Sequence, residues 1–262
     1  MQRINSAAEL DARRKEILSG KDPDKPAIAV CSGAGCAGLS NGRVIAALEK
    51  ELDAQGLADK VDLRATGCHG LCELGPNVVI YPEEIYYTQV KPEDVADIVK
   101  ETVLGKKVVD RLVYTDPASG EKAVHLNEIP FYKYQNRNLI GNNTRIDPSS
   151  IDDYIGIGGY AALAKALFEM KPEAVLDEVK TANLRGRGGG GFPAGLKWET
   201  TRNAEAQEKY VIVNGHEGEP GAFMDRAVFT GNPHLVIEGL IIGAYAIGAI
   251  RDSSTPAMTQ SC

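Results

Sequence analysis

The chain has 262 residues, a formal net charge of −7 at pH 7, 43% hydrophobic residues and 25% charged residues. This length and composition are typical of a globular protein with one large or two ordinary domains. The negative net charge argues against a general nucleic-acid-binding protein, so we expect no nucleic-acid partner.

The N-terminal stretch has no apolar core of the kind that secretory signals contain. Residues 7–18 predict an amphipathic helix rich in Arg, Lys and Glu, and we assign residues 1–25 to an N-terminal helical arm. The longest apolar run, 235–250, is interrupted by Glu238 and is short for a membrane span, so it predicts a buried helix and no direct membrane insertion. We therefore expect a cytoplasmic protein, free or peripheral to a membrane complex, in which disulfides are disfavoured.

Residues 26–105 predict a small α/β domain of thioredoxin-like type, because short apolar and alternating segments surround two helical patterns in the order β-α-β-β-β-α. The predicted elements are a strand at 27–30, a helix that begins at Ser40 or Asn41, a strand at 60–65, a hairpin at 77–81 and 85–88, and a helix that begins at Pro92.

Four of the five cysteines lie in two loops of this domain, with the spacing C-x4-C, thirty-one residues, then C-x3-C. They are Cys31, Cys36, Cys68 and Cys72. Four thiolates suit either tetrahedral zinc or an iron–sulfur cluster. The wide spacing and the small residues in both loops favour a [2Fe-2S] cluster, while structural zinc and free buried thiols stay open as alternatives.

His69 follows the third cysteine directly and suggests a Rieske-type ligand. We reject that interpretation because a Rieske centre uses two histidines and two cysteines, whereas four cysteines already complete the set here. His69 is then either a hydrogen-bond donor that tunes the cluster or an ordinary loop residue.

Residues 106–150 are assigned to a linker, with a predicted strand at 108–114 and a turn after Asp116. The mixed aromatic and polar segment 131–139 favours interdomain packing over base stacking. A second module, 151–262, opens with helix-start signals at Pro148 and Ser149, and helices are predicted at 159–169 and from Pro172.

The segment 184–198, LRGRGGGGFPAGLKW, is the most unusual stretch of the chain. Backbone N–H groups of a glycine-rich loop can form an anion-binding concavity, and the predicted helix from about 194 to 207 adds its N-terminus. Arg185, Arg187 and Lys197 add positive charge. The spacing G-x-G-x-x-G is present, but a helix precedes it rather than a strand, so we favour a phosphate-binding loop over a Rossmann fingerprint or a flexible linker.

Residues 209–213 predict a buried strand that ends in the polar loop 214–221, NGHEGEPG. A strand that leads into a polar loop is a common place for ligand chemistry. From spacing alone, Glu217 and Glu219 are either solvated acids or acceptors for a ribose or a carboxamide.

These motifs carry a resemblance to known proteins. LRGRGGGGFPAGLKWE resembles the flavin-phosphate loop of the NADH-binding flavoprotein subunit of respiratory complex I, a module that also occurs in NAD(P)-linked [FeFe]-hydrogenases and some formate dehydrogenases. Gly190 stands where that family more often has alanine. By position, the resemblance implies FMN contacts from the loop and the helix after it, at Gly186, Arg187, Gly188, Gly189, Gly191, Phe192 and Lys197.

CSGAGC followed by TGCHGLCELGPNVVI resembles a thioredoxin-like [2Fe-2S] ferredoxin domain, which in the hydrogenase relatives can be fused ahead of the flavin module. The resemblance implies that Cys31, Cys36, Cys68 and Cys72 hold the cluster. The implied fold is α/β, a thioredoxin-like [2Fe-2S] domain followed by the N-terminal part of a complex I flavoprotein-type FMN-binding domain.

NGHEGEPGAFMDR resembles the family loop N-A-D-E-x-E/D-P-G. The resemblance implies that Asn214 hydrogen-bonds the flavin and that Glu217 and Glu219 line the flavin and NADH pocket as catalytic residues. Gly215 stands where alanine is usual. His216 occupies a flavin-contacting position where aspartate is usual, which alters the hydrogen bond available to the flavin, because a neutral imidazole can donate as well as accept.

The resemblance implies an NAD(P)H-linked oxidoreductase subunit with a [2Fe-2S] cluster and FMN, partnered by other subunits of a hydrogenase, formate dehydrogenase or complex I-like assembly. It fades after about residue 249, and the ligands of the [4Fe-4S] cluster of full-length relatives are absent, which predicts a truncated chain. Two alternatives stay open: a non-enzymatic [2Fe-2S] electron carrier or docking module, and a zinc-stabilised interaction module.

Overall fold

A computed structural model of the chain describes residues 3–249. The residues group into two compact units. The cysteine unit comprises Ser19–Asp153 and Phe223–Pro233, and the glycine-loop unit comprises Met1–Leu18, Tyr154–Ala222 and His234–Cys262. The sequence places Phe223–Pro233 in the second module, whereas here it packs with the cysteine unit. The domain limits given above stay predictions.

The cysteine unit is built on a four-stranded sheet in the order β2-β1-β3-β4. Its strands are β1 (Ala27–Cys31), β2 (Asp62–Thr66), β3 (Val78–Tyr81) and β4 (Ile85–Tyr87). β1 pairs in parallel with β2 and antiparallel with β3, and every residue of β1 is buried. The predicted order of strands along the chain and the predicted hairpin of β3 and β4 are confirmed. Two further short strands, β5 (Tyr114–Thr115) and β6 (Lys122–Ala123), pair with each other.

Helices cover this sheet as the apolar spacing predicts. The helical elements of the cysteine unit are α2 (Ala34–Gly38), α3 (Asn41–Ala54), α4 (Val95–Asp97), α5 (Pro130–Lys133) and α10 (Met224–Gly231). α4 lies between a 3-10 turn, Pro92–Asp94, and a π-helix, Ile98–Leu104. Val44 and Leu48 of α3 pack with Ile28 and Ile98 in one core cluster. This layering of helix on sheet supports the ligand loops at the ends of β1 and β2.

Helices are the regular secondary structure of the described residues in the glycine-loop unit. Its helices are α1 (Ala7–Ser19), α6 (Ile151–Gly156), α7 (Ala161–Glu169), α8 (Pro172–Thr181), α9 (Ala194–Asn203) and α11 (Pro233–Ile247), of which α1, α6 and α11 extend past the unit boundary. Ala166, Val175, Leu176 and Ala246 form its core cluster. The buried carboxylate of Glu238 accepts hydrogen bonds from the Tyr154 hydroxyl at 2.5 Å and from the Leu163 N–H at 3.0 Å.

Two strand predictions are wrong. Residues 209–213 form no strand, and the exposed fractions of Tyr210 and Ile212 are 57% and 68%. A strand needs a neighbour for its backbone hydrogen bonds, and the described residues of the glycine-loop unit offer none. In 108–114 only Tyr114 enters a strand, although Val113 makes an isolated bridge to Tyr87.

The apolar run near the C-terminus forms α11, as predicted, up to Ile247. Within residues 3–249 no single helix is both long and apolar enough to cross a bilayer, and α10 and α11 reach that length only when counted together. The polar tail 250–262, including Cys262, lies outside the described residues.

The α3 packing gives a stability prediction. Leu48 is fully buried against the sheet. We expect Leu48→Ala to lower the free energy of unfolding of the cysteine unit by about 2–5 kcal/mol, because it removes buried apolar atoms and leaves a cavity. Chemical denaturation followed by circular dichroism measures this change. The matched control is Lys50→Ala on the exposed side of the same helix, and equal midpoints for both variants would contradict the assigned core.

Candidate cofactor sites

The parallel pairing of β1 and β2 brings the two cysteine loops together. Cys31 ends β1 and lies in register with Thr66, which ends β2. Both loops therefore leave the sheet at the same edge. Cys36 lies in α2, and Cys68 and Cys72 follow β2. Sγ of Cys68 lies 3.5 Å from Sγ of Cys72.

The four cysteines differ in exposure. Cys31 and Cys36 are buried, whereas Cys68 and Cys72 are half-buried, and all four are free thiols. The site thus has a closed side and an accessible side.

Glycines allow the two loops to interlock. A Cβ at Gly33 would lie 2.6 Å from Cβ of Cys68, and one at Gly75 would lie 2.7 Å from Sγ of Cys36. Side chains do not tolerate either distance, so any other residue at Gly33 or Gly75 would push the cysteines apart. The small residues noted in the sequence therefore have a steric role around the sulfur atoms.

Backbone N–H groups point at three of the sulfurs. The Gly70 N–H donates to Sγ of Cys68 at 3.3 Å. The N–H of His69 donates to Cys31, and that of Asn77 donates to Cys36. N–H donors stabilise thiolates and are one of the features that set the potential of iron–sulfur clusters. The donor set of four sulfurs and their N–H partners fits a [2Fe-2S] cluster.

The closeness of the four cysteines also shifts the pKa values of their free thiols. A hydrogen bond to Cys36 raises the pKa of Cys31 to about 12, and it lowers the pKa of Cys36. Burial raises the pKa of Cys72 to about 11, and the adjacent Cys68 adds to that shift. Four thiolates gathered this closely need positive metal charge to be stable together.

Within residues 3–249, no set of three or more His, Cys, Asp and Glu side chains is placed to hold one metal ion. In a two-iron cluster, the four thiolates divide between two metals.

His69 has a structural role in the ligand loop. Its ring is fully buried, and Nε2 lies 2.8 Å from Oγ1 of Thr66, which itself donates to the Val30 carbonyl. Nε2 therefore carries the ring proton and donates it to Thr66. Nδ1 has no hydrogen-bond partner among the described residues. Burial, with the Arg137 charge as a second cause, lowers the pKa of His69 to about 3. The His69 ring holds the loop in place through Thr66, and the backbone N–H of His69 donates to the sulfur of Cys31.

The glycine loop of the other unit is closed at its base and open at its tip. The Gly186 N–H donates to the Phe192 carbonyl at 2.9 Å, and the Ala194 N–H donates to the Leu184 carbonyl at 2.8 Å. Gly189 and Gly191 have φ of +100° and +57°, which side chains rarely adopt. The loop lies between α8 and α9, so the prediction of two flanking helices is confirmed.

The tip of this loop has room for a ligand. A Cβ at Gly188, Gly189, Gly190 or Gly191 would meet nothing within 4 Å. α9 begins directly after the loop, with Pro193 as its N-cap and without a side-chain capping bond. The first N–H groups of a helix lack intrahelical partners and carry a partial positive charge.

Three cations flank the loop. Arg185 donates to the Gly191 carbonyl at 3.2 Å, and Arg187 donates to the Arg185 carbonyl at 2.7 Å. Lys197 is exposed in the first turn of α9. Full charges therefore accompany the free N–H groups, which is the chemistry that binds a phosphate.

The acidic loop after residue 213 is exposed. Asn214 Oδ1 accepts from the His216 N–H at 2.7 Å, which makes a local turn. Glu217 is half-buried, and Glu219 is exposed. Asn214, His216, Glu217 and Glu219 stay predicted site residues, as do the glycine-loop residues and the four cysteines.

Sequence reasoning missed two contributors to the cysteine site. Asn143 is fully buried and donates to the Cys68 carbonyl at 3.3 Å and to the Ala227 carbonyl at 3.0 Å. The second of these hydrogen bonds holds the helix α10 beside the loop that carries Cys68. The spacing of Phe223, Arg226, Ala227 and Thr230 on one helix face was the available signal.

Comparisons with known proteins match two segments of the chain. Residues 16–103 match the family described as thioredoxin-like [2Fe-2S] ferredoxin, and residues 179–252 match the family described as Nuo51 FMN-binding domain. The predicted resemblance to these two families is confirmed.

Two curated relatives show how much of each protein the similarity covers. The NADP-reducing hydrogenase subunit HndC of Solidesulfovibrio fructosivorans is 56% identical over 40% of this chain and 21% of its own length. The NAD-reducing hydrogenase HoxS subunit alpha of Cupriavidus necator is 32% identical over 76% of this chain and 30% of its own length. The chain thus spans between a fifth and a third of the length of these relatives.

Solved structures are similar over matching regions. A thioredoxin-like [2Fe-2S] ferredoxin from Aquifex aeolicus is 31% identical and covers 36% of this chain and 94% of its own, with a TM-score of 0.32. An NAD+-reducing [NiFe]-hydrogenase in the air-oxidized state is 21% identical and covers 92% of this chain and 39% of its own, with a TM-score of 0.35.

The four converging cysteines and the open glycine loop therefore lie in segments of two known families. Residues 16–103 belong to the thioredoxin-like [2Fe-2S] ferredoxin family, and residues 179–252 belong to the Nuo51 FMN-binding family.

Proposed function

We propose that the chain is an electron-transfer flavoprotein subunit, or a part of one, of an NAD(P)H-linked oxidoreductase of the hydrogenase or NADH:quinone oxidoreductase type. The observation that carries the proposal is the presence on one chain of four converging cysteines and an open, cationic glycine loop. When bound, FMN accepts hydride from NAD(P)H and a [2Fe-2S] cluster carries single electrons onward.

The cysteine unit supplies the cluster ligands in this proposal. Cys31, Cys36, Cys68 and Cys72 hold the cluster, and the interlocked loops fix the sulfur positions before metal binds. Such preorganisation keeps the site from rearranging on electron transfer. Free thiols and a cluster of this type favour a reducing compartment, which supports the cytoplasm.

The glycine loop supplies the phosphate site. Gly186, Gly188, Gly189, Gly191 and Phe192 present the loop backbone, while Arg187 and Lys197 neutralise the phosphate of FMN. In the acidic loop, Asn214 and His216 orient the flavin, and Glu217 and Glu219 line the flavin and NAD(P)H pocket. Partners are other subunits of a multi-subunit oxidoreductase, as the names of the relatives indicate.

A second candidate, a non-enzymatic [2Fe-2S] electron carrier or docking module, is favoured by one observation. The apolar side chains of Tyr210 and Ile212 are exposed just before the acidic loop. A flavin pocket built on that loop needs those side chains covered, because exposed apolar surface costs free energy.

The spectrum of anaerobically purified chain distinguishes the two candidates. We expect broad cluster absorbance together with a flavin band that decreases when NADH or NADPH is added. Cluster absorbance without flavin, even after incubation with FMN, would favour the electron carrier. Zinc without acid-labile sulfide would contradict both candidates and leave the zinc-stabilised module.

The ligand set has its own test. We expect Cys68→Ser to abolish the visible cluster absorbance, because serine lacks the thiolate that the site is shaped to present. The matched control is Cys262→Ser, which changes the one cysteine outside the four and should leave absorbance and iron content intact. An unchanged spectrum in Cys68→Ser would mean that the ligand set is wrong.

The phosphate site is tested by FMN titration. We expect Lys197→Ala to weaken FMN binding by roughly 10- to 150-fold, because a charge-assisted contact to phosphate contributes about 1.5–3 kcal/mol. Quenching of flavin fluorescence measures the affinity. Lys165→Ala, which removes an exposed lysine paired with Glu178, is the control. Equal affinities in the two variants would remove Lys197 from the site.

A further inference from the structure

One face of α10 lies against the accessible side of the cysteine site. Together they enclose a cavity of about 270 Å³. It is lined by Ala34, Gly35, Cys68, Cys72, Phe223, Arg226, Ala227 and Thr230. Arg226, Ala227 and Thr230 form a single stripe on the helix, and Phe223, the N-cap residue of α10, precedes that stripe.

The helix is fixed in register against the ligand loop. Asn143, itself buried, hydrogen-bonds the carbonyls of both Cys68 and Ala227. A Cβ added at Gly67 would lie 2.4 Å from Cα of Gly231, so only glycine permits this backbone approach. The position of the α10 stripe relative to Cys68 is therefore set by the close approach of Gly67 to Gly231 and by the Asn143 side-chain amide, which binds both segments.

The accessible side of the site faces that stripe. Cys68 and Cys72 line the cavity, whereas Cys31 and Cys36 are 1% and 0% exposed. Among the described residues that line the cavity, Arg226 alone carries a full positive charge at neutral pH. An arginine side chain stays protonated at any pH a protein tolerates, so this charge is permanent.

A permanent charge that lines the same cavity as two of the sulfurs affects the two redox states unequally. The reduced form of a cluster carries one more negative charge than the oxidised form, so a nearby cation stabilises the reduced form more. Arg226 is itself exposed, so dissolved salt screens part of this effect.

We propose that Arg226 is a positioning residue that raises the reduction potential of the cluster from the Cys68–Cys72 side. The proposal rests on the [2Fe-2S] site proposed above. α10 carries Arg226 to the accessible side, and Asn143 holds the helix there. The residue acts through the sulfur ligands and is not itself a ligand.

Potentiometric titration of the cluster signal in the full chain tests the proposal. We expect Arg226→Gln to lower the midpoint potential, with up to a tenfold change in the one-electron reduction equilibrium, about 59 mV. Arg226→Lys keeps the charge and should restore most of the potential. Arg111→Gln is the matched control, since it removes the same charge from an exposed arginine that does not line the cavity.

A second variant covers the case in which Arg226→Gln fails to assemble a cluster. Thr230 is exposed on the same stripe, one turn further along. Thr230→Lys adds a cation and should raise the potential, a direction that loss of stability alone does not explain.

The outcomes separate the two proposals. A cluster whose potential is unchanged in Arg226→Gln, or in Thr230→Lys where Arg226→Gln does not assemble, would overturn the role of Arg226 and leave the cluster site intact. A wild-type chain that assembles no iron–sulfur signal would overturn the proposed function and this inference with it.

Discussion

The parallel pairing of β1 with β2 is the constraint on which the cysteine site depends. Because Cys31 is in register with Thr66, both ligand loops start at the same sheet edge. Thr66 then connects the strands a second time, through its bond to the Val30 carbonyl and its contact with His69. Loss of this register by one residue would turn the loops to opposite faces and separate the sulfurs.

Much of this arrangement could be predicted from the sequence. The order of strands and helices along the chain, the α3 helix and the meeting of the two cysteine loops all follow from local patterns. β1 is a short apolar segment, β2 alternates, and each ends in a cysteine loop. The role of His69 could not be predicted. The ring nitrogen that has a partner is decided by Thr66, because the Thr66 hydroxyl already donates to the Val30 carbonyl of the neighbouring strand. That contact exists only in the folded sheet.

The other features that the sequence did not predict correctly all depend on contacts between distant parts of the chain. Residues 209–213 have strand-like composition, but a strand is stabilised by neighbours rather than by its own residues. Asn143 was not noticed because a buried amide that bridges residues 75 and 84 positions away leaves no local pattern. The stripe on α10 has a readable helical spacing, yet nothing in the sequence says that it packs against cysteines more than 150 residues earlier.

The position of α10 links the two family segments physically. The helix lies within residues 179–252, the FMN-binding match, but it packs with the cysteine unit. The surroundings of Cys68 and Cys72 are therefore completed by residues that the ferredoxin family segment, 16–103, does not contain. A ferredoxin domain without this helix would leave the same two sulfurs facing water. Because solvent exposure and nearby charge both set cluster potentials, the fused helix gives this chain a means of tuning that a ferredoxin domain alone lacks.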